Sequence, residues 1–271
     1  MSDKSNMKRQ PGLDQLISLG GKHALITGSA AGIGKAIAHR FAEAGASLSI
    51  VDIDGDTLAA TERELVELGA QVTLHVVDVS DKSAIDGLWA NLSGREPDIL
   101  VNNAGIYPFK PFVDVDEAFY RHVMETNLDS VYWMCQQMIG KRMKRGGIII
   151  NIGSTDGIRP FKEGLSHYGV SKAGVIALTK TLAKEHAKHG FRVNAIVPGG
   201  ILPPGARAVG KQILKHKLDV LKTGLEYMQR LPVGRLGQPD EVARIALVLA
   251  SDLASYVHGA VIPVDGGFLS A

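Results

Sequence analysis

At 271 residues, with 45% hydrophobic and 21% charged residues, the chain has the length and composition of one large α/β domain or two small ones. A formal net charge of +2 with scattered basic residues excludes the electrostatic footprint of a nucleic-acid-binding protein. The single cysteine, Cys135, excludes an internal disulfide; no apolar run approaches the ~20 residues of a membrane span, and the polar first ten residues lack a secretory h-region, so the expected location is the cytoplasm.

Residues 1–20 read as an arm carrying a short helical turn over 13–19, and residues 21–271 as one domain. Within it, apolar strands at 23–26, 47–51, 71–77, 99–101, 148–152, 192–196 and 260–264 alternate with helical segments at 34–44, 56–68, 82–92, 116–143, 168–189 and 239–250. Strands separated by helices imply right-handed crossovers, hence a doubly wound, Rossmann-like parallel sheet of seven strands with helices on both faces. Residues 199–232 break this rhythm: Leu214, Leu218, Leu221, Leu225 and Met228 fall at helical spacing, and the stretch at about 200–231 is a candidate substrate lid.

Between the first strand and the first helix lies Thr27-Gly-Ser-Ala-Ala-Gly-Ile-Gly34. Glycines here let the backbone turn tightly and approach a pyrophosphate, whose charge the helix amino terminus stabilises. The second strand ends at Asp52, where a carboxylate can accept both ribose hydroxyls of an adenosine and repel a 2′-phosphate; loop capping is the bland alternative for Asp52, Asp54 and Asp56. Ala31 stands where a basic residue would welcome that phosphate, so NAD is expected over NADP. The third strand ends at Asp78-Val79 and the fourth at Asn102-Asn-Ala-Gly105, both at the rim where a cofactor would lie; helix capping by Asp78 and turn formation by the asparagines are the alternatives.

Cys135 sits among Val131, Met134 and Met138 and reads as a small core residue. His186 and His189 are three apart but lack a third ligand, so no metal site is expected. The β-branched run 147–153 delivers Ser154 at a strand's carboxyl end. Tyr168 and Lys172 follow four residues apart, so they leave one helix face together. An ammonium roughly 4 Å from a phenol, at an effective dielectric near 20, supplies about 4 kcal/mol, or about three pK units. The expectation is a phenol near neutrality, able to give and take a proton, with Ser154 holding a substrate oxygen beside it.

In this order, Thr27 to Gly34, Asp78-Val79, Asn102 to Gly105, Asn127, Ser154, Tyr168-Gly-Val-Ser-Lys172 and Pro198-Gly199 resemble the short-chain dehydrogenase/reductase superfamily, in its single-domain form, over residues 21–267. The resemblance implies Tyr168 as general acid/base, Ser154 as the hydrogen-bonding partner of the reacting oxygen, and Lys172 as binder of the nicotinamide ribose. It implies that Asn127 binds a water linking Lys172 to solvent; by propensity alone Asn127 reads as a helix-surface or kink residue. It implies a cofactor site of Gly28, Ser29, Gly32, Ile33, Gly34, Asp52, Ile53, Asp78, Val79, Asn103, Ala104, Gly105, Tyr168, Lys172, Pro198, Gly199 and Ile201. The family's threonine shortly after Pro-Gly is missing from Pro198-Gly-Gly-Ile-Leu-Pro-Pro-Gly205. A homotetramer is implied too, paired through the long helices and the last strand.

The expected reaction is NAD-dependent hydride transfer between a secondary alcohol and a ketone. Candidate substrate contacts are Tyr107, Thr155, Asp156, Arg159, Phe161, His167, Gly200 and Leu202, whose polar members suggest a sugar, polyol or hydroxy acid. Lys211, Lys215, Lys217 and Lys222 on the lid either draw anions inward or form its solvated face. The alternatives are a 3-oxoacyl-[acyl-carrier-protein] reductase and a non-catalytic dinucleotide-binding scaffold.

Overall fold

Short aliphatic runs bounded by glycine and polar residues form strands here because both faces of the sheet are covered, which suits continuous β-branched sequence. In the computed structural model, which describes residues 10–202 and 230–271, the strands are β1 His23–Thr27, β2 Ser47–Asp52, β3 Val72–Val76, β4 Ile99–Asn102, β5 Gly147–Ile152, β6 Phe191–Pro198 and β7 Val261–Val264. They form one all-parallel sheet in the order β3-β2-β1-β4-β5-β6-β7. The order reverses between β1 and β4, opening a crevice at the strands' carboxyl ends where ligands of such sheets bind.

The described helices are α1 Leu13–Ile17, α2 Gly32–Glu43, α3 Gly55–Glu67, α4 Lys82–Asn91, α5 Glu117–Met124, α6 Ser130–Arg142, α7 Ser166–His186 and α8 Pro239–Ala250. Successive residues of β1 point to opposite faces. Ala24 and Ile26 join Ile37 and Phe41 of α2 and Val242 and Ala246 of α8 in one core layer, whereas Leu25 joins Trp89, Met134 and Val175 in the other. Cys135 belongs to this second layer; burial pushes its thiol up to about 12, as a core residue rather than a nucleophile requires.

The predicted single helix over 116–143 is divided. Asp116 caps α5 by accepting from Phe119 N at 2.8 Å, and a π-turn at Glu125–Asp129 then separates α5 from α6. The turn has a cause in burial: Asn127 is fully buried within it, and its amide is consumed by the chain at Ile106. Helix α7 begins two residues before the expected position, and a 3-10 turn, Ala187–His189, completes it. Of the expected lid at about 200–231, residues 203–229, with its four lysines, lie outside the described residues, as do residues 1–9 of the arm.

Candidate active site

Strand ends β1, β2, β4, β5 and β6 open into one cleft of about 820 Å³. At its centre the β1–α2 turn is built from glycines that tolerate no side chain. Gly28 has φ +64°, and a Cβ there would approach Ala104 Cα to 2.7 Å; one on Gly34 would fall 2.1 Å from the Gly28 carbonyl oxygen. Asn103 ties the turn to β4, its Nδ2 donating to the carbonyls of Thr27 and Gly28 at 3.0 and 2.8 Å. No side chain caps α2, whose first residues Gly32 and Ile33 line the cleft. This glycine cradle under an uncapped helix amino terminus fits a pyrophosphate.

Asp52 stands on one side of the turn, its Oδ2 accepting from Ala30 N at 2.9 Å and its Oδ1 from Asp54 N at 3.1 Å. Asp54, by contrast, caps α3 by accepting from Thr57 N. Lys172 is the only lysine or arginine among the described lining residues, so this side offers a 2′-phosphate a carboxylate and no cation. A dinucleotide with a free ribose diol fits these residues.

On the other side, beyond β4, the reactive set converges. Ser154, buried at the end of β5, accepts from Asp156 N at 3.2 Å. Tyr168 reaches the cleft from the first turn of α7, its ring edge-on to Tyr107 with centroids 6.2 Å apart. Lys172 lies one turn further on, and its Nζ donates to the Ile152 carbonyl at 2.9 Å. Here the structure corrects the electrostatic expectation. Lys172 Nζ is 5.9 Å from the Tyr168 ring centroid, and the phenol is not held near neutrality. Burial pushes it up to about 12; the Ser154 hydroxyl opposes the rise, and Asp156 and Tyr107 add to it. Burial lowers Lys172 to about 8. Desolvation, omitted from the pairwise Coulomb argument, is the largest cause of the shift, and Lys172 is not among the groups that oppose it.

Asn127 is brought to the set but not into the cleft wall. Its Oδ1 accepts from Ile106 N at 2.8 Å and its Nδ2 donates to Ile106 O at 2.8 Å and Ser171 Oγ at 3.2 Å. Both Nδ2 hydrogens are so committed, which leaves one Oδ1 lone pair as the side chain's acceptor for a bound water. Gly105 makes the approach possible, since a Cβ there would lie 3.1 Å from Asn127 Oδ1 and 3.3 Å from Lys172 Nζ.

Of the expected cofactor residues, Gly28, Gly32, Ile33, Asp52, Ile53, Asp78, Val79, Asn103, Ala104, Gly105, Pro198, Gly199 and Ile201 line the cleft. Two do not. Ser29 turns into the sheet, its Oγ donating to Val51 O and accepting from Val51 N. Gly34 packs behind the turn, where its missing side chain admits the Gly28 carbonyl. Among the expected substrate contacts, Tyr107, Asp156, Gly200 and Leu202 line the cleft. His167 instead donates to the Pro108 carbonyl at 2.7 Å, and Arg159 to Phe268 O at 3.3 Å. Thr57 of α3, His122 of α5 and Thr126 of the π-turn line it without having been anticipated. His122 and Thr126 are four apart, a spacing that marks a shared helix face but not which way it looks.

A family model described as enoyl-(acyl carrier protein) reductase matches residues 28–269. The 3-oxoacyl-[acyl-carrier-protein] reductase FabG of Chlamydia trachomatis is 39% identical over 250 residues, covering 91% of this chain and 96% of that protein. The 2-dehydro-3-deoxy-D-gluconate 5-dehydrogenase of Bacillus subtilis is 39% identical over 263 residues, covering 95% and 98%. L-sorbose reductase from Gluconobacter frateurii, solved with NADPH and L-sorbose, has a TM-score of 0.86 at 32% identity over 94% of this chain and 99% of its own.

Proposed function

This chain belongs to the short-chain dehydrogenase/reductase superfamily and is an NAD(P)-dependent oxidoreductase of CH–OH groups, and on that premise we propose that it uses NAD to interconvert a sugar, polyol or hydroxy acid with its ketone. One observation carries the reading: Ser154, Tyr168 and Lys172 line the same cleft as the Asp52 carboxylate. NAD supplies hydride acceptance when bound. Tyr168 takes the hydroxyl proton of the alcohol, or returns it to the nascent alkoxide in reduction, and Ser154 shares the developing negative charge. Lys172 holds the nicotinamide ribose, and Asn127 fixes the wall at Ile106.

Support for NAD comes from Asp52 and from the lack of a basic residue around it among the described lining residues; the NADPH of L-sorbose reductase belongs to that protein. Support for a sugar comes from the likeness to L-sorbose reductase, and for a hydroxy acid from the likeness to the gluconate-series dehydrogenase. The likeness to FabG favours a second reading, reduction of 3-oxoacyl thioesters on acyl carrier protein. Exposed Tyr120, Tyr132 and Val170 on α5, α6 and α7 support a homotetramer, and sedimentation checks it. The buried, unpaired Cys135 suits the cytoplasm.

A panel of sugars, polyols, hydroxy acids and steroids, each incubated with NAD and followed by nicotinamide absorbance, tests the reading. Reduction of NAD by a member of the first three classes is expected. Activity confined to 3-oxoacyl thioesters with NADPH would replace it with the second.

A further inference from the structure

The substrate side of the cleft holds one carboxylate, Asp156, with no cationic partner among the described residues. Asp156 stands two residues after Ser154, in the 3-10 turn Thr155–Gly157. The turn is fixed. Asp156 N donates to Ser154 Oγ at 3.2 Å, and Phe161 N donates to Asp156 Oδ1 at 3.1 Å. Gly157 is pressed onto α7 so closely that a Cβ would lie 2.8 Å from the Lys172 carbonyl carbon. Asp156 is thereby held on the wall it shares with Tyr168, close enough that its charge opposes ionisation of the phenol.

Two carboxylate oxygens offer about four acceptor positions, more than the Phe161 amide and the Ser154 side chain occupy. No lysine or arginine among the described residues pairs with Asp156. Arg159, three residues on, is turned away, its guanidinium 5.7 Å from the Phe268 ring centroid. A half-buried carboxylate with spare acceptor capacity and no counter-cation selects hydroxyl donors and repels anions.

We infer that Asp156 is a specificity-determining residue: it accepts the hydroxyl on the carbon beside the reacting one, so the substrate is an uncharged vicinal diol or polyol, and a carboxylate at that place is refused. The inference rests on the secondary-alcohol reading and narrows it, removing hydroxy acids that carry their charge next to the reacting carbon.

Three matched probes test it: cyclohexanol, 1,2-cyclohexanediol and 2-hydroxycyclohexanecarboxylate, each assayed with NAD against the wild-type chain and Asp156→Asn. Asparagine keeps an acceptor for Phe161 N, so the turn survives. For the wild type the diol exceeds the mono-alcohol in kcat/KM at least tenfold, and the hydroxy acid ranks last. In Asp156→Asn the diol-to-alcohol ratio falls at least tenfold and the hydroxy acid gains on both. Turnover with the hydroxy acid ranking first, or with the variant leaving the order and ratios unchanged, overturns the role of Asp156 while the secondary-alcohol reading stands. Turnover of none of the three probes, nor of any sugar or polyol in the panel, contradicts the secondary-alcohol reading and this inference with it.

Discussion

The Lys172 ammonium donates to the Ile152 main-chain carbonyl at 2.9 Å, at the end of strand β5, and not to Tyr168. A buried lysine held by one neutral acceptor is costly, and burial lowers it from its ordinary value of 10.5 to about 8. The sign follows by linkage: between pH 8 and 10.5 the unfolded chain binds the proton that the folded chain has lost, so folding stability from this group rises with pH across that window. Below pH 8 the full penalty is present, at most about 3 kcal/mol for a shift of this size. Lys172→Met removes the penalty and leaves the Ile152 carbonyl unpaired at about 1–3 kcal/mol. We expect urea midpoints measured against wild type to favour the variant more at pH 7 than at pH 10. An equal difference at both pH values contradicts the account.

Because burial pushes Tyr168 up to about 12, phenolate is scarce at neutral pH in the cofactor-free cleft. Alcohol oxidation needs that phenolate, so its kcat/KM should climb with pH by up to about tenfold per unit above pH 7. Asp156 adds to the upward shift, so Asp156→Asn should reach a given fraction of its maximal kcat/KM at lower pH. A flat profile between pH 7 and 9 in both proteins would count against the phenolate as base.

On the proposed reading, Asp52 selects NAD over NADP. Its carboxylate is fixed by the Ala30 and Asp54 amides and has no cation near it among the described lining residues. In Asp52→Ala the Kd for NAD should rise at least about tenfold, the loss of hydrogen bonds to a charged acceptor, while the preference over NADP disappears. Calorimetric titration reads both. Tighter binding of NADP than of NAD by the wild type is the contrary result.

The phosphate turn depends on a missing side chain. In Gly34→Ala the new Cβ would sit 2.1 Å from the Gly28 carbonyl oxygen and 2.5 Å from Asn103 Nδ2, so the turn must open. Overpacking of this kind costs about 1–3 kcal/mol of stability, and nucleotide affinity should fall with it. A variant that melts and binds NAD like wild type would show that the close approach is not required.

Much of this was legible in the chain itself, for reasons that differ from residue to residue. The strands were visible because a sheet covered on both faces demands uninterrupted aliphatic runs such as Ile148 to Ile152, and the glycines because a tight turn admits nothing else. The π-turn at Glu125–Asp129 was invisible: helical periodicity over 116–143 is continuous, and only the tertiary demand that Asn127 meet Ile106 breaks it. The directions of Ser29, Arg159 and His167 were hidden likewise, since a polar residue beside a motif turns to whichever acceptor the fold offers. Spacing put Tyr168 and Lys172 on one face, but desolvation is a property of the folded surroundings, and it reversed the expected shift of the phenol.

The central claim is that the Tyr168 hydroxyl moves the proton of the reaction. Its most direct measurement is kcat for alcohol oxidation in Tyr168→Phe, alongside calorimetric titration of NAD into the same variant. The account predicts a fall in kcat of at least about 100-fold with NAD still bound, since the phenyl ring keeps its packing against Tyr107 and loses only the acid. Turnover close to wild type in that variant would contradict it.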